Sequence, residues 1–372
     1  MNMSQLVQWF QENYPELVQD MMCSQHHKTL KDELIEEHKK EEANLIIPSN
    51  KNKYTGLKGY INPYHIEGDV WTHTMMVCKQ AEKAPYEVQI AALLHDIGKP
   101  ITRSVNARNG FVSFYNHDAI SAFMSLEITK RPELNLSKKE RINIFNLIAL
   151  HTQIYKLSEE QISQLGHFGE DFLYSFIELG KADHSGRFFS KGNIEIKEFF
   201  KYTIPEKRDN SKLDKEVIIL CGLPGSGKST WIQKNKSDAV VVSRDQCLME
   251  VSVQDYPDKN LTYNESFRKV NQKKVDKLLK SRFQTAKYAG DTCVSIIVDM
   301  THMSKKSRNR SLSHFGEDYK KKCVVFLTDL PTNYLRNQKR LGKVIDKRVL
   351  DRMMKAFYPP SHDEFDEIEY VL

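Results

Sequence analysis

The sequence predicts two domains of different class, an all-α amino-terminal half and an α/β carboxy-terminal half built on a parallel sheet. Three observations predict this. From about residue 69 to 186 apolar residues recur at helical spacing, with no alternating β pattern. After Asp214 short β-rich runs alternate with amphipathic stretches, which is the βαβ pattern of a parallel sheet covered by helices. Finally, Gly222-Leu-Pro-Gly-Ser-Gly-Lys228-Ser229 follows the apolar run 217–220 and precedes a breaker-free stretch from Thr230. Strand, glycine turn and helix are the context that a phosphate loop requires. At 372 residues, two cores are expected rather than one.

In chain order, residues 1–45 read as helical, with Leu6, Trp9, Phe10 and Leu17 as buried positions before the charged run 31–42. A loop is expected at 48–53. Helices follow at 72–84, 88–97, 119–128, 138–150 and 170–181, and one more at 194–200. The polar stretch 202–212 carries a proline and reads as a linker. The domains therefore span 1–205, with a helical core at about 60–190, and 206–372. Strands of the second domain are expected at 217–221, 239–243, 293–299 and 323–328.

Hydrophobic and charged contents of 40% and 28% are those of a soluble globular protein. The net charge of +6 is compatible with a nucleic-acid substrate without demanding one. Basic residues cluster at 305–310, 320–322 and 336–340, and for 320–322 a solvated face is the preferred reading. The six cysteines form no C-x-x-C pair, so neither a zinc knuckle nor a disulfide framework is expected. No apolar run reaches the roughly 18–20 residues of a membrane span, and the amino terminus has no signal-peptide pattern. A reducing cytoplasm is the expected location, and nothing in the pattern signals an oligomeric state.

The loop residues Gly222, Gly225, Ser226, Gly227, Lys228, Ser229 and Thr230 predict a nucleoside triphosphate site, with Lys228 reaching the β/γ-phosphates and Ser229 holding Mg²⁺. The strand 240–243 runs into Asp245, an acid placed where α/β sheets bind ligands and suited to accept a proton from a hydroxyl. The alternative for Asp245 is a plain helix cap. The strand 293–299 ends in Asp299, as a Walker B strand does. Met300 follows it where a water-polarising glutamate would stand in a hydrolytic ATPase, which favours transfer to another acceptor. Thr301 and His302 are expected at the rim. Arg336 and Arg340, at i and i+4, would share a helix face and clamp the triphosphate.

In the first half, His95-Asp96 closes an apolar run, and residues adjacent on a helix differ by about 100°, so both can reach one ion. Lys99 is a turn further on, placed for a substrate phosphate. His73, His117, His151 and Asp183 lie on separate helical segments with apolar neighbours, as expected if all point into one interior. His184 is an alternative to Asp183. Imidazole and carboxylate ligands suit Mn, Fe, Co, Ni or Zn, and two ions bridged by Asp96 would serve attack on phosphorus.

The second half resembles the 5′-polynucleotide kinase family in Gly222–Thr230, Ser243-Arg-Asp245, Asp299-Met-Thr301 and Arg336-Asn-Gln-Lys-Arg340. That resemblance implies Lys228 and Ser229 as phosphate and Mg²⁺ groups, Asp245 as general base and Arg336 and Arg340 as a lid over the donor. The family's arginine three residues after the base is Leu248 here, so Arg244 or Arg268 would have to substitute. The first half resembles the HD phosphohydrolase superfamily, pattern H…HD…D, in His73, His95, Asp96 and Asp183. It is similar above all to the HD domain of bacterial tRNA nucleotidyltransferases, with His117 and His151 as that group's extra ligands. The tandem resembles bifunctional HD-Pnk end-healing enzymes. It implies 2′,3′-cyclic phosphate and 2′/3′-phosphate hydrolysis, phosphorylation of 5′-OH ends of RNA or DNA from ATP or another triphosphate, and a separate RNA ligase as functional partner. The alternatives are an HD nucleotidase fused to a nucleotide or small-molecule kinase, and a nucleotide-sensing regulator. The complete ligand set disfavours the regulator.

Overall fold

The structure, a computed structural model, describes residues 1–24, 68–105, 112–187, 213–236, 238–290 and 295–372. The expected charged run 31–42, loop 48–53, helix 194–200, linker 202–212 and the start of the strand at Cys293 lie outside the described residues. The chain divides into two compact units, Met1–Thr203 and Ile204–Leu372.

The first unit is a helical bundle. Its main helices are Val70–Gln80, Tyr86–Leu94, His117–Ile128, Lys138–Leu150 and Glu170–Ser185. Asp69 caps the first, accepting from the Thr72 amide at 2.8 Å, and a Ser137–Glu140 capping box starts the fourth. Tyr86–Leu94 is apolar on nearly every side and lies buried among the helices Val70–Gln80, Lys138–Leu150 and Glu170–Ser185. Among the described residues, the helices Met3–Asn13 and Pro15–Cys23 precede the bundle. Leu6 and Phe10 are buried as expected, whereas Trp9 and Leu17 are half-exposed and Val18 takes the inner position. Phe10 stacks 6.2 Å from Trp71, fixing the pair of helices to the bundle.

One β feature interrupts the all-α reading. Strands β1 (Arg103–Val105) and β2 (Val112–Phe114) form a short antiparallel ribbon. A second difference concerns His95 and Asp96. The helix stops at Leu94, so these two residues occupy a turn rather than a helix face. Pro100, in the first turn of the short helix Lys99–Thr102, has no amide to continue the earlier helix. Gly98 also packs so closely on the helix His117–Ile128 that a Cβ would lie 2.7 Å from the Ser121 amide.

The second unit is a five-stranded parallel sheet in the order β4-β5-β3-β6-β7, with β3 Lys215–Gly222, β4 Val240–Ser243, β5 Ile296–Asp299, β6 Tyr319–Phe326 and β7 Glu367–Val371. Ile218, Leu220, Ile297, Val324 and Phe326 form its core. The edge strand β7 was not among the expected strands. Lys320 and Lys322 pair across it with Glu367 and Glu369 at 2.7–2.8 Å, so this basic run is neutralised within the sheet. Arg308, from another basic run, is fully buried against Glu364 (2.7 Å) and four backbone carbonyls. Leu220 and Ser243 both pair with Asp299, so the carboxyl ends of β3, β4 and β5 open on one crevice. No helix among the described residues is long and apolar enough to cross a membrane.

Candidate metal centre and phosphate-binding cleft

In the helical unit, four imidazoles and two carboxylates from five segments converge. His73 Nε2 lies 3.2 Å from Asp183 Oδ1 and 3.5 Å from Asp96 Oδ2, and His95 Nε2 lies 3.1 Å from Asp96 Oδ2. On the other side of Asp96, His117 Nε2 is 3.2 Å and His151 Nε2 3.8 Å from Oδ1. One carboxylate thus faces two imidazole pairs, each through a different oxygen. Asp183, rather than His184, faces the cluster.

The imidazoles are held in one tautomer. Each Nδ1 faces a backbone carbonyl: Gly186 for His73 (3.2 Å), Ala92 for His95 (2.8 Å), Phe114 for His117 and Ile148 for His151 (both 2.7 Å). A carbonyl only accepts, so Nδ1 carries the proton and every Nε2 lone pair points inward. Burial, then the neighbouring His117 and His95, pushes the His151 imidazole down to about 3, which keeps it neutral. Burial alone would raise the Asp96 carboxyl, but its neighbours His95 and Lys99 hold it well below the usual carboxylate range. Asp183 behaves likewise, with Arg187 opposing burial. Both Asp96 oxygens are buried and accept no hydrogen bond of good geometry among the described residues. Inward lone pairs around a buried carboxylate are what a divalent metal requires, and the donor set fits one.

Lys99 is also buried. Its Nζ lies 2.6 Å from Asp96 Oδ2. Sequence reasoning did not single out Tyr155, whose hydroxyl donates to Asp183 Oδ2 at 3.2 Å, or Arg187, which pairs with the same oxygen and lies over the Tyr155 ring.

In the sheet unit, the glycine loop, Asp245, Asp299, Thr301, Arg336 and Arg340 line one cleft of about 1040 Å³. Gly225 and Gly227 adopt φ of +84° and +101°, conformations that a side chain would oppose, and these turn the loop around the helix start at Lys228. The Lys228 ammonium donates to the carbonyls of Gly222 and Leu223, both at 2.8 Å. Burial lowers it to about 8, against the pull of Asp299. Burial raises Asp299, reinforced by Asp245. Ser226 Oγ and Arg340 Nη1 are buried without a hydrogen-bond partner among the described residues, which suits an anionic ligand.

The lid differs from expectation. Its helix is Leu330–Gln338, so Arg336 is helical and Arg340 is not, although both line the cleft. Asn337 explains the break. Its amide donates to the Ile345 carbonyl at 2.7 Å and accepts from the Ile345 amide at 3.1 Å, folding the chain back after the helix. Asn333 ties the same helix to the Pro224 carbonyl at 2.9 Å.

His302 is likewise not at the rim. It is 2% exposed beneath the loop, at φ +44°, with Nδ1 donating to the Leu220 carbonyl (3.0 Å) and Ser311 donating to Nε2 (2.8 Å). Burial pushes its imidazole down to about 4. The unfolded chain therefore binds the extra proton between about pH 6.5 and 4, so this stabilisation is complete above that window and is lost as pH falls through it. Thermal denaturation across the window is expected to show a shallower pH dependence for His302→Asn, since asparagine tolerates positive φ and does not titrate there.

The fold and the two sites define the class: a helical bundle with a candidate metal centre, together with an α/β domain built around a glycine-rich phosphate-type loop. Comparison with known proteins is more specific. The HD domain family matches residues 69–169, and the AAA domain family matches residues 217–360. The chain thus carries an HD domain followed by a P-loop kinase-like domain. Among solved structures it is similar to a chain of a Pnkp1/Rnl/Hen1 complex, at 21% identity over 38% of this chain and with a TM-score of 0.26. The match spans 44% of that neighbour's length.

Proposed function

We propose that the protein heals both ends of a broken RNA strand. The HD domain opens a 2′,3′-cyclic phosphate and removes the remaining 2′- or 3′-phosphate. The P-loop domain transfers the γ-phosphate of ATP, or another nucleoside triphosphate, to a 5′-OH. The observation that carries the kinase half is Asp245 lining the same cleft as the glycine loop, with a hydrogen bond from Tyr263 at 2.9 Å orienting it. Asp245 takes the proton of the 5′-hydroxyl as the new O–P bond forms and the bond to the bridging oxygen of the donor breaks. Lys228, Arg336 and Arg340 balance the charge on the transferred group, and Ser229 with Asp299 would hold Mg²⁺. Met300 leaves no residue at that position to activate water instead.

In the HD domain, His73, His95, Asp96, His117, His151 and Asp183 would hold one or two ions of Mn, Ni, Co, Fe or Zn. Bound there, such ions supply an activated hydroxide and stabilise charge at phosphorus. The four carbonyls on the Nδ1 atoms keep the ligands oriented and basic. Lys99 and Arg187 brace the two carboxylates, one each. The products, a 3′-OH and a 5′-phosphate, are the ends a ligase joins, so a separate RNA ligase is the proposed functional partner. A reducing cytoplasm is the proposed setting, consistent with the buried free thiols Cys78, Cys221, Cys247 and Cys323.

With γ-labelled ATP and 5′-OH RNA, label transfer is expected for the wild type and lost in Lys228→Ala, while removal of a 2′,3′-cyclic phosphate persists in that variant. Label transfer to free nucleotides but to no RNA end would instead support a nucleotide kinase.

A further inference from the structure

The cleft holds more beside Asp245 than the phosphate chemistry uses. Leu248, three residues after Asp245, is buried in a core with Cys247, Val251, Val270 and Val275, so this position offers nothing to an acceptor. Neither arginine expected in its place supplies a free cation. Arg244 lines the cleft but is engaged by Asp276 (3.1 Å) and Gln272 (2.9 Å), and Arg268 is exposed outside the residues that line it.

The cation against Asp245 comes instead from the far end of the lid. Lys343 Nζ is ion-paired with Asp245 Oδ2 and lies 4.4 Å from the centroid of the Tyr263 ring. One turn beyond Tyr263 on the helix Tyr263–Lys269, Phe267 also lines the cleft, yet the residue is 52% exposed. The two rings are nearly parallel, with centroids 6.4 Å apart. This wall is braced. The Asn264 amide donates to the Gly342 carbonyl at 3.2 Å, its side chain donates to the Val344 carbonyl at 2.9 Å, and Asn337 holds Ile345. A general base, a cation and an open aromatic face therefore lie side by side on one wall.

We propose that this wall is the acceptor site, with Phe267 stacking on the base of the 5′-terminal nucleotide and Lys343 binding that nucleotide's 3′-phosphodiester. The proposal rests on the kinase reading above and adds which residues select the acceptor. A nucleoside with its 5′-hydroxyl on Asp245 presents its base and its 3′-phosphate as the two remaining recognition features. An aromatic face stacks on any base, so the site reads a polynucleotide end without reading its sequence. Lys343 leaves Asp245 for the phosphate when the acceptor enters, which frees the carboxylate for the hydroxyl proton. The acceptor class is thus a 5′-OH nucleotide carrying a 3′-phosphate or phosphodiester, and an unphosphorylated nucleoside is a poor substitute.

Steady-state kinetics on the full chain with a 5′-OH oligonucleotide, a nucleoside 3′-monophosphate and a plain nucleoside test this. Phe267→Ala raises the acceptor KM by roughly 5–100-fold, with the ATP KM unchanged. Phe267→Tyr restores it. Phe267→Leu, which keeps most of the volume without the ring, does not. Lys343→Ala removes the preference for the 3′-monophosphate over the plain nucleoside, and Lys343→Arg retains it. An acceptor KM within about twofold of wild type in both Phe267→Ala and Phe267→Leu overturns the stacking assignment. An undiminished 3′-phosphate preference in Lys343→Ala overturns the cation assignment. In either case, 5′-OH labelling by the wild type leaves the kinase reading standing, whereas no labelling by the wild type removes that reading itself.

Discussion

Replacing Asp96 by alanine is expected to abolish phosphate removal from RNA 3′ ends, by at least about 10³-fold, while leaving 5′ phosphorylation intact. Among the described residues of the helical unit, no other side chain faces both imidazole pairs, with one oxygen toward His73 and His95 and the other toward His117 and His151. Its loss also strips Lys99, 4% exposed, of a carboxylate partner, so some loss of stability accompanies the loss of activity. Asp96→Asn keeps the volume and separates the two effects. Metal content of the purified variants, measured by elemental mass spectrometry against the wild type, is expected to fall in both. Full metal content with full hydrolysis in Asp96→Ala would remove the bridging role.

The second large effect concerns Asp245. Asp245→Asn is expected to lower kcat for 5′ phosphorylation by about 10²–10⁴, the usual range for a positioned proton acceptor, with little change in the ATP KM. Lys228→Ala differs in kind, because it touches the donor phosphates and disturbs both parameters. The neighbours of Asp245 strengthen the contrast. Burial, and then Asp245 itself, raises the Tyr263 hydroxyl, which stays protonated and keeps donating to the carboxylate. Equal kinetics of Asp245→Asn and wild type would reduce Asp245 to a helix-start residue.

What was legible in the sequence had local causes. The phosphate loop is a single run of residues whose spacing carries its own geometry, so Gly222 to Thr230 could be placed without any tertiary information. The candidate ligands His73, His95, Asp96, His117, His151 and Asp183 stood out one by one, as imidazoles and carboxylates beside apolar runs. Their division around the two oxygens of Asp96 comes only from packing. Lys343 could not be found this way. It meets Asp245 across 98 positions of chain, in a lid loop that looks like any basic surface segment. Nothing local in the sequence singles out Phe267 either. The ribbon of β1 and β2 is three residues a side, too short for a period to register. His302 was misplaced because a positive φ, invisible in the sequence, tucks it under β3.

A broken RNA carrying a 5′-OH and a 2′,3′-cyclic phosphate, given to the wild-type protein with ATP, Mg²⁺ and Mn²⁺ or Ni²⁺ and read by intact mass, tests the central claim most directly. The expected product has a 5′-phosphate and a 3′-OH on the same strand. Asp96→Ala changes only the 5′ end, and Lys228→Ala changes only the 3′ end. Both RNA ends unchanged while free nucleotides are turned over would contradict it.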